Sequence, residues 1–265
     1  MRIVSLASGS AGNAYCVESG GEWLLIDCGL GPRDFASRCK AAAVDPSRIA
    51  AAVFTHDHCD HCKGLARFHA AFPNVPLCAN YMTADAIAHA TGVGDFLVFE
   101  NGQEFRPGPF AITAFSVPHD TPDCVGFTVR AEGLVYFHAT DTGTPLASIG
   151  ARLAEADWAT LESNYDPQML CASARPESLK SRIRGGRGHL SNDEAAELAA
   201  AYASPRLRGL ALAHLSRECN APHLALTEMR RALAAAGKGD VRVEVFPQDR
   251  PVELAPGKAQ GEDAA

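Results

Sequence analysis

The sequence predicts an α/β fold in a single domain, and three observations carry that expectation. Short β-type runs alternate with helical stretches along the whole chain. Several apolar runs stop at a polar, chemically useful residue, as strands of an α/β sheet do where they present a site. No repeat and no linker long enough to divide the 265 residues interrupts the pattern.

Taken in order, residues 3–7, 14–18 and 23–27 read as strands, separated by the turn-rich segments 8–13 and 19–22. Pro32 starts a helix to about residue 43, at the position where a missing N–H costs nothing. Residues 51–55 form a strand and 61–72 the helix after it, stopped by Pro73. Further strands are expected at 110–117, 124–131 and 134–140, and apolar runs at 156–161 and 210–214 end in polar residues. Ser191-Asn192-Asp193-Glu194 is a capping box opening an Ala-rich helix to Tyr202. A late helix over 222–236 and a last strand over 241–246 complete the set. The domain is expected to span residues 1–254, and the Gly-, Ala- and charge-rich stretch 255–265 to be a disordered tail.

Composition narrows the class. The chain is 47% hydrophobic and 21% charged, as soluble globular proteins are. A net charge of −7 argues against a surface coated for nucleic acid, while leaving room for a local basic groove. No apolar stretch approaches the roughly 18–20 residues of a membrane span, so no membrane partner is expected. The apolar start is too short for a signal segment. Nine cysteines without framework spacing fit a reducing compartment, so a cytoplasmic location is expected.

The most informative stretch is Thr55-His56-Asp57-His58-Cys59-Asp60-His61, directly after an apolar run. A strand ending in such a loop aims several N and O ligands at one point. Transition metals such as zinc favour imidazole, and a carboxylate can bridge or orient water. One short loop cannot saturate two metals. Further candidates end other strands: His119 in Val-Pro-His-Asp, Asp141 in Ala-Thr-Asp-Thr-Gly and His214 in Ala-His-Leu-Ser. Cys59-Asp60-His61-Cys62 is formally a Cys-x-x-Cys, but no second one exists, and its inner residues serve the metal motif.

Asp27 in Leu-Leu-Ile-Asp-Cys-Gly, His56/His58/Asp60/His61, His119, Asp141 and His214 resemble, in order, the five motifs of the metallo-β-lactamase superfamily. The resemblance covers about residues 1–250. Within the superfamily the chain most resembles the YycJ/WalJ-type metallohydrolases, regarded as nucleases. The residues concerned are Ser-Gly-Ser-x-Gly-Asn from Ser8 to Asn13, Glu162-Ser163-Asn164 with Asp166, His189-Leu190-Ser191-Asn192, and His214-Leu215-Ser216 followed by Asn220.

The resemblance implies an αββα four-layer sandwich, two central mixed β-sheets flanked by helices, with two divalent metal ions, Zn2+ or Mn2+, at one edge. It assigns His56, His58 and His119 to one metal and Asp60, His61 and His214 to the other, with Asp141 bridging. Two ions about 3.5–4 Å apart can lower the pKa of a shared water and clamp a phosphodiester or carbonyl oxygen. Asp27 would orient a ligand without touching metal; a plain turn-forming role before Gly29 is the competing reading.

The metal motif does not select a substrate. Glu162 and His189 resemble the paired elements of tRNA-processing relatives, in which a carboxylate-held His protonates the leaving oxygen. Cleaving a phosphodiester expels an alkoxide, so a positioned acid contributes roughly 10²–10⁴ in rate. Just before His189, the cation-rich run 180–188 suggests phosphate contacts, represented by Arg184 and Arg187. A charge run is also commonly just a solvated face. The Ser8–Asn13 loop offers Ser8, Ser10 and Asn13 as donors, and the resemblance adds Ser216 and Asn220 as holders of a terminal phosphate.

The expected function is a dinuclear metal-dependent phosphodiesterase, a DNA or RNA nuclease resembling 5′-exonucleases. A metal-activated hydroxide would attack, Asp60 would help orient the water, and His189, steadied by Glu162, would act as acid. The rival on the same fold is a small-molecule hydrolase splitting a thioester, lactone or cyclic phosphodiester, for which a narrow, apolar, lidded pocket would speak. A non-catalytic scaffold is a further alternative, although such proteins usually lose ligands and here all seven positions are filled.

Overall fold

Three apolar runs open the chain and pair antiparallel: β1 (Arg2–Ala7), β2 (Ala14–Ser19) and β3 (Glu22–Ile26). The β2–β3 turn is Gly20-Gly21, at φ 58° and 78°, the backbone that a two-residue hairpin requires. Then α1 (Pro32–Ala41), with Pro32 in its first turn, crosses over to β4 (Ile49–Val53), parallel to β3. The single helix expected over 61–72 is divided into α2 (Cys59–Cys62) and α3 (Leu65–Ala71). Gly64 lies at the break. Its N–H donates to Cys28 O at 2.8 Å, and a Cβ there would sit 2.0 Å from Leu30 O. Beyond the elements expected from the sequence, β5 (Leu77–Asn80), α4 (Tyr81–Thr91) and β6 (Phe96–Phe99) extend the parallel side of this sheet.

The second sheet begins antiparallel with β7 (Glu104–Phe105), β8 (Ala111–Ser116), β9 (Val125–Ala131) and β10 (Leu134–Ala139). After α5 (Ala147–Leu153) it continues parallel through β11 (Trp158–Glu162). The helices α6 (Pro167–Ala172), α7 (Glu177–Arg184) and α8 (Asn192–Tyr202) lead to β12 (Gly209–Ala213), and α9 (Pro222–Ala235) leads to β13 (Arg242–Val245). The last strand, β14 (Val252–Ala255), returns to the first sheet, antiparallel to β1. Ala255, where the sequence reading begins a tail, is therefore the end of a strand. The computed structural model describes residues 1–255, and the rest of the expected tail lies outside the described residues.

Sheet orders are β14-β1-β2-β3-β4-β5-β6 and β13-β12-β11-β10-β9-β8-β7. Three apolar clusters show how the layers stack. Ile3, Tyr15, Val17, Ile26, Phe110, Phe127 and Tyr136 meet between the sheets. Phe35, Phe68 and Ile87 of α1, α3 and α4 cover the outer face of the first sheet, and Ile149, Leu198 and Met229 of α5, α8 and α9 cover the second. Away from the edge strands both sheets are buried on both faces, as parallel segments under helices require. The arrangement is the αββα sandwich of two mixed seven-stranded sheets. Among the described residues no helix is long and apolar enough to cross a membrane.

Candidate metal centre

The site forms where strands of both sheets end at one edge. Asp27 follows β3, the His loop follows β4, Asp141 follows β10, Glu162 ends β11 and His214 follows β12. His119 arrives from the loop after β8. Three of these residues, Asp27, Asp141 and His214, have left-handed backbone at φ 61°, 56° and 57°. Non-glycine residues adopt that conformation at a cost of about 1–3 kcal/mol, and such residues concentrate at functional sites. Gly29 lets the loops close on one another. A Cβ there would lie 1.7 Å from Asp60 O.

Seven of the sequence-nominated side chains converge. His56, His58 and His119 each offer a nitrogen within 4.8 Å of the others, and Asp60, His61 and His214 form a second such group. His58 turns Nδ1 inward, 3.2 Å from His119 Nε2. Asp141 lies between the groups, with Oδ2 3.1 Å from His61 Nε2 and Oδ1 3.7 Å from His119 Nε2. A partner on the far nitrogen orients most rings. His61 Nδ1 donates to Asp27 Oδ2 at 2.7 Å, His119 Nδ1 to Gly188 O at 3.0 Å, and His214 Nδ1 to Glu162 Oε1 at 3.0 Å. Asp27 is itself held by the Thr55 N–H (2.9 Å) and hydroxyl (2.8 Å). This is the carboxylate–imidazole arrangement that fixes a ligand's tautomer and aims Nε2 at a cation.

Of the buried side-chain atoms without hydrogen-bond partners among the described residues, two belong to the cluster: His56 Nε2 and Asp141 Oδ2. Unpaired buried polar atoms are costly, and both point into the cluster, so a divalent cation fits the residues present. The electrostatics agree. Burial and the neighbouring His61 hold His56 well below the usual imidazole range. Burial opposes charge on His61 and His214, yet the surrounding carboxylates raise His61 well above that range and His214 to about 10. Burial also opposes charge on Asp141, but His214 and His61 draw it well below the carboxylate range. The carboxylates therefore demand compensating positive charge, from protons or from cations that displace them.

Glu162 is fully buried and takes four donors. Oε1 accepts from His189 Nδ1 (2.8 Å) and His214 Nδ1 (3.0 Å), and Oε2 from the Thr142 and Leu190 N–H groups (2.7 and 3.2 Å). A carboxylate has about four acceptor sites, so Glu162 has none left for a metal. Burial disfavours the charged form of His189, but Glu162 outweighs it and holds the imidazole above its ordinary value.

The structure redistributes the residues nominated for substrate. Ser10 lines the cavity over the cluster, about 230 Å³ in volume, together with Asp120, Arg175, Arg182 and His189. Ser8 and Asn13 instead support the site: Ser8 Oγ accepts the His214 N–H at 2.7 Å, and Asn13 Nδ2 lies 3.0 Å from His61 Nε2. Arg184 and Arg187 are outside the cavity lining. Arg184 pairs with Glu177, and Arg187 donates to His119 O and Thr121 O at 2.7 and 3.0 Å, bracing the His119 loop. Asn220 is buried and donates to Ser163 O, Asn164 O and Asn192 Oδ1; Ser216 Oγ caps the Cys219 N–H. Both border a separate cavity beside Phe246 and Gln248. Tyr15, not among the residues nominated from sequence, joins the site: its hydroxyl lies 2.9 Å from Ser8 Oγ and donates to Asn13 Oδ1 at 3.1 Å. Asp120, likewise not nominated, lies 3.4 Å from His119 Nε2 and 3.6 Å from His58 Nε2; it adjoins His119 in sequence, a signal that was legible.

Residues 22–210 match the family described as the beta-lactamase superfamily domain. The chain belongs to the metallo-β-lactamase superfamily. Two curated relatives are similar over nearly the whole chain. Exodeoxyribonuclease WalJ of Streptococcus pneumoniae is 30% identical over 239 residues, 88% of each chain. Exodeoxyribonuclease YycJ of Bacillus anthracis is 30% identical over 237 residues, 88% of this chain and 89% of its own. Among solved structures, the metallo-β-lactamase fold protein YhfI of Bacillus subtilis superposes with a TM-score of 0.70 at 17% identity, covering 96% of this chain and 100% of its own. Membership and the His/Asp cluster identify a metal-dependent hydrolase of this superfamily.

Proposed function

We propose that this hydrolase is a nuclease that cleaves phosphodiester bonds of DNA or RNA from a 5′ end, with two divalent cations, Zn2+ or Mn2+, as cofactor. The Glu162–His189 pair carries the reading: a carboxylate-held imidazole lines the same polar cavity as the candidate ligands. A hydrolase expelling a poor alkoxide leaving group needs such an acid. The polar lining, with two arginines, supports a phosphodiester over a small apolar substrate. The names of the two relatives support a nucleic-acid substrate, DNA first. Nine unpaired cysteines support a reducing, cytoplasmic setting.

His56, His58 and His119 would hold one cation, and Asp60, His61 and His214 the other, with Asp141 between them. When bound, the pair of cations supplies Lewis acidity that activates water and offsets charge developing on the phosphoryl oxygens. The protein's own residues do the rest. Asp27, Gly188 and Glu162 hold His61, His119 and His214 in the ligating orientation. Asp60 orients the attacking water. His189, kept protonated by Glu162, donates to the leaving oxygen.

The test is turnover of labelled single- and double-stranded DNA and RNA by EDTA-stripped protein, reconstituted separately with manganese and zinc. We expect metal-dependent shortening that His58→Ala abolishes. Silence on every polymer with metal bound would transfer the assignment to a small-molecule hydrolase.

A further inference from the structure

Leu179, Arg182 and Ile183 of α7 line the catalytic cavity at the i, i+3, i+4 spacing of one helical face, and Arg175 joins them from the bend just before the helix. Helix α7 thus turns Arg182 toward the cavity, while Arg184, two residues on, faces elsewhere and pairs with Glu177. Each cavity arginine is tethered through Nε alone. Arg182 Nε donates to Asp120 Oδ2 at 2.5 Å, and Arg175 Nε donates to Glu218 Oε2 at 3.0 Å. Neither guanidinium makes another hydrogen bond among the described residues, so the Nη groups of both remain available. Their side chains are 61% and 26% exposed, accessible to a ligand in the cavity.

A guanidinium pinned at Nε presents two parallel Nη–H donors in a set direction, the fork that matches a phosphate's oxygens. Pinning also lowers the rotamer entropy lost on binding. Asp120 places the Arg182 fork beside the metal cluster without being in it. Asp120 Oδ1 is 3.4 Å from His119 Nε2 and 3.6 Å from His58 Nε2, while Oδ2 holds the arginine. A phosphodiester at the cluster has a neighbouring phosphate on the same strand, and the arginines line the same cavity.

We infer that Arg175 and Arg182 form a backbone-phosphate subsite, binding the non-scissile phosphodiester next to the one being cleaved. The inference rests on the nuclease reading and adds the residues by which a polymer is distinguished from a small diester. The two tethers set its geometry, and a net charge of −7 offers nucleic acid no broad electrostatic attraction in their place.

The experiment measures anisotropy of a fluorescein-labelled, cleavage-resistant phosphorothioate single-stranded oligonucleotide on the metal-loaded protein between 50 and 200 mM salt, a range that exposes counterion release. Arg175→Ala, Arg182→Ala and the double variant are compared with wild type. Arg33→Ala, on exposed α1, removes a charge elsewhere. Each cavity variant should flatten the slope of log Kd against log salt by about 0.7 and weaken binding about tenfold, whereas Arg33→Ala should not. On the same metal-loaded protein, each cavity variant should lose about tenfold more kcat/KM on the unmodified oligonucleotide than on bis(p-nitrophenyl) phosphate, which has no neighbouring phosphate. Slopes equal to that of Arg33→Ala, with equal losses on both substrates, would overturn the subsite alone. Wild type that splits the small diester but no polymer would overturn the nuclease reading and the subsite together.

Discussion

At Glu162, one carboxylate oxygen joins two imidazoles with different tasks: His214, whose Nε2 faces Asp60 at 3.3 Å, and His189, which lines the cavity. Removing His189 should therefore separate chemistry from metal holding. His189→Ala is expected to keep its metal by elemental analysis and to slow cleavage of an unactivated phosphodiester by roughly 10²–10⁴, with a much smaller loss on a p-nitrophenyl leaving group. Full activity on the unactivated substrate would remove the acid assignment. The candidate metal ligands were legible because imidazole and carboxylate crowd one loop at a strand end. The cavity arginines were not. A run of cations states composition but not helical phase, and α7 turns Arg182 inward while Arg184 and Arg187 brace the protein itself. Tyr15 was invisible for a related reason: a Tyr on an apolar strand reads as core, and only the folded chain brings its hydroxyl to Ser8 and Asn13.

Strand ends and helix starts do the positioning at the next scale up. Ser191 opens α8 with both halves of the capping box in place: the Glu194 N–H donates to Ser191 Oγ at 3.1 Å, and the Ser191 N–H donates to Glu194 Oε2 at 2.9 Å. The box also ends the loop carrying His189. Ser191→Ala should lower unfolding free energy by about 1 kcal/mol in urea titrations, and a change under a few tenths would show the cap to be redundant. This element was readable because capping is local chemistry within four residues. By contrast β5, β6 and β14, each only four residues long, carry too little periodicity to stand out, and their partners lie far away in sequence. The break between α2 and α3 was equally hidden, since its cause is the approach of the Cys28 and Leu30 carbonyls to Gly64.

The two sheets enclose a polar group with no catalytic assignment. His138 on β10 is fully buried, bonded at Nδ1 to the Tyr136 hydroxyl (3.1 Å) and packed on Tyr15, with Nε2 lacking a partner among the described residues. Burial, reinforced by His61, pushes its pKa down to about 3. The unfolded chain takes up this proton below the ordinary value of about 6.5, while the folded protein refuses it until about pH 3. Stability is consequently lost as pH falls through that window, by up to about 1.4 kcal/mol per unit for one proton. His138→Leu lacks this term. In urea unfolding at pH 7, 5.5 and 4.5, the difference between variant and wild type should move in the variant's favour as pH falls. A difference independent of pH would show that His138 is not the buried neutral group described.

The sequence alone determined the α/β class, the superfamily pattern, the candidate ligands that the fold brings together and most of the longer elements. Each of these is written in local terms: periodicity, capping, and donors crowded at strand ends. Only the tertiary structure decided which ring nitrogen faces inward, that Glu162 serves two histidines, and which arginines reach the cavity. Those properties depend on backbone from both sheets meeting at one edge, with left-handed turns at Asp27, Asp141 and His214 that the folded chain stabilises and no short segment would adopt by itself.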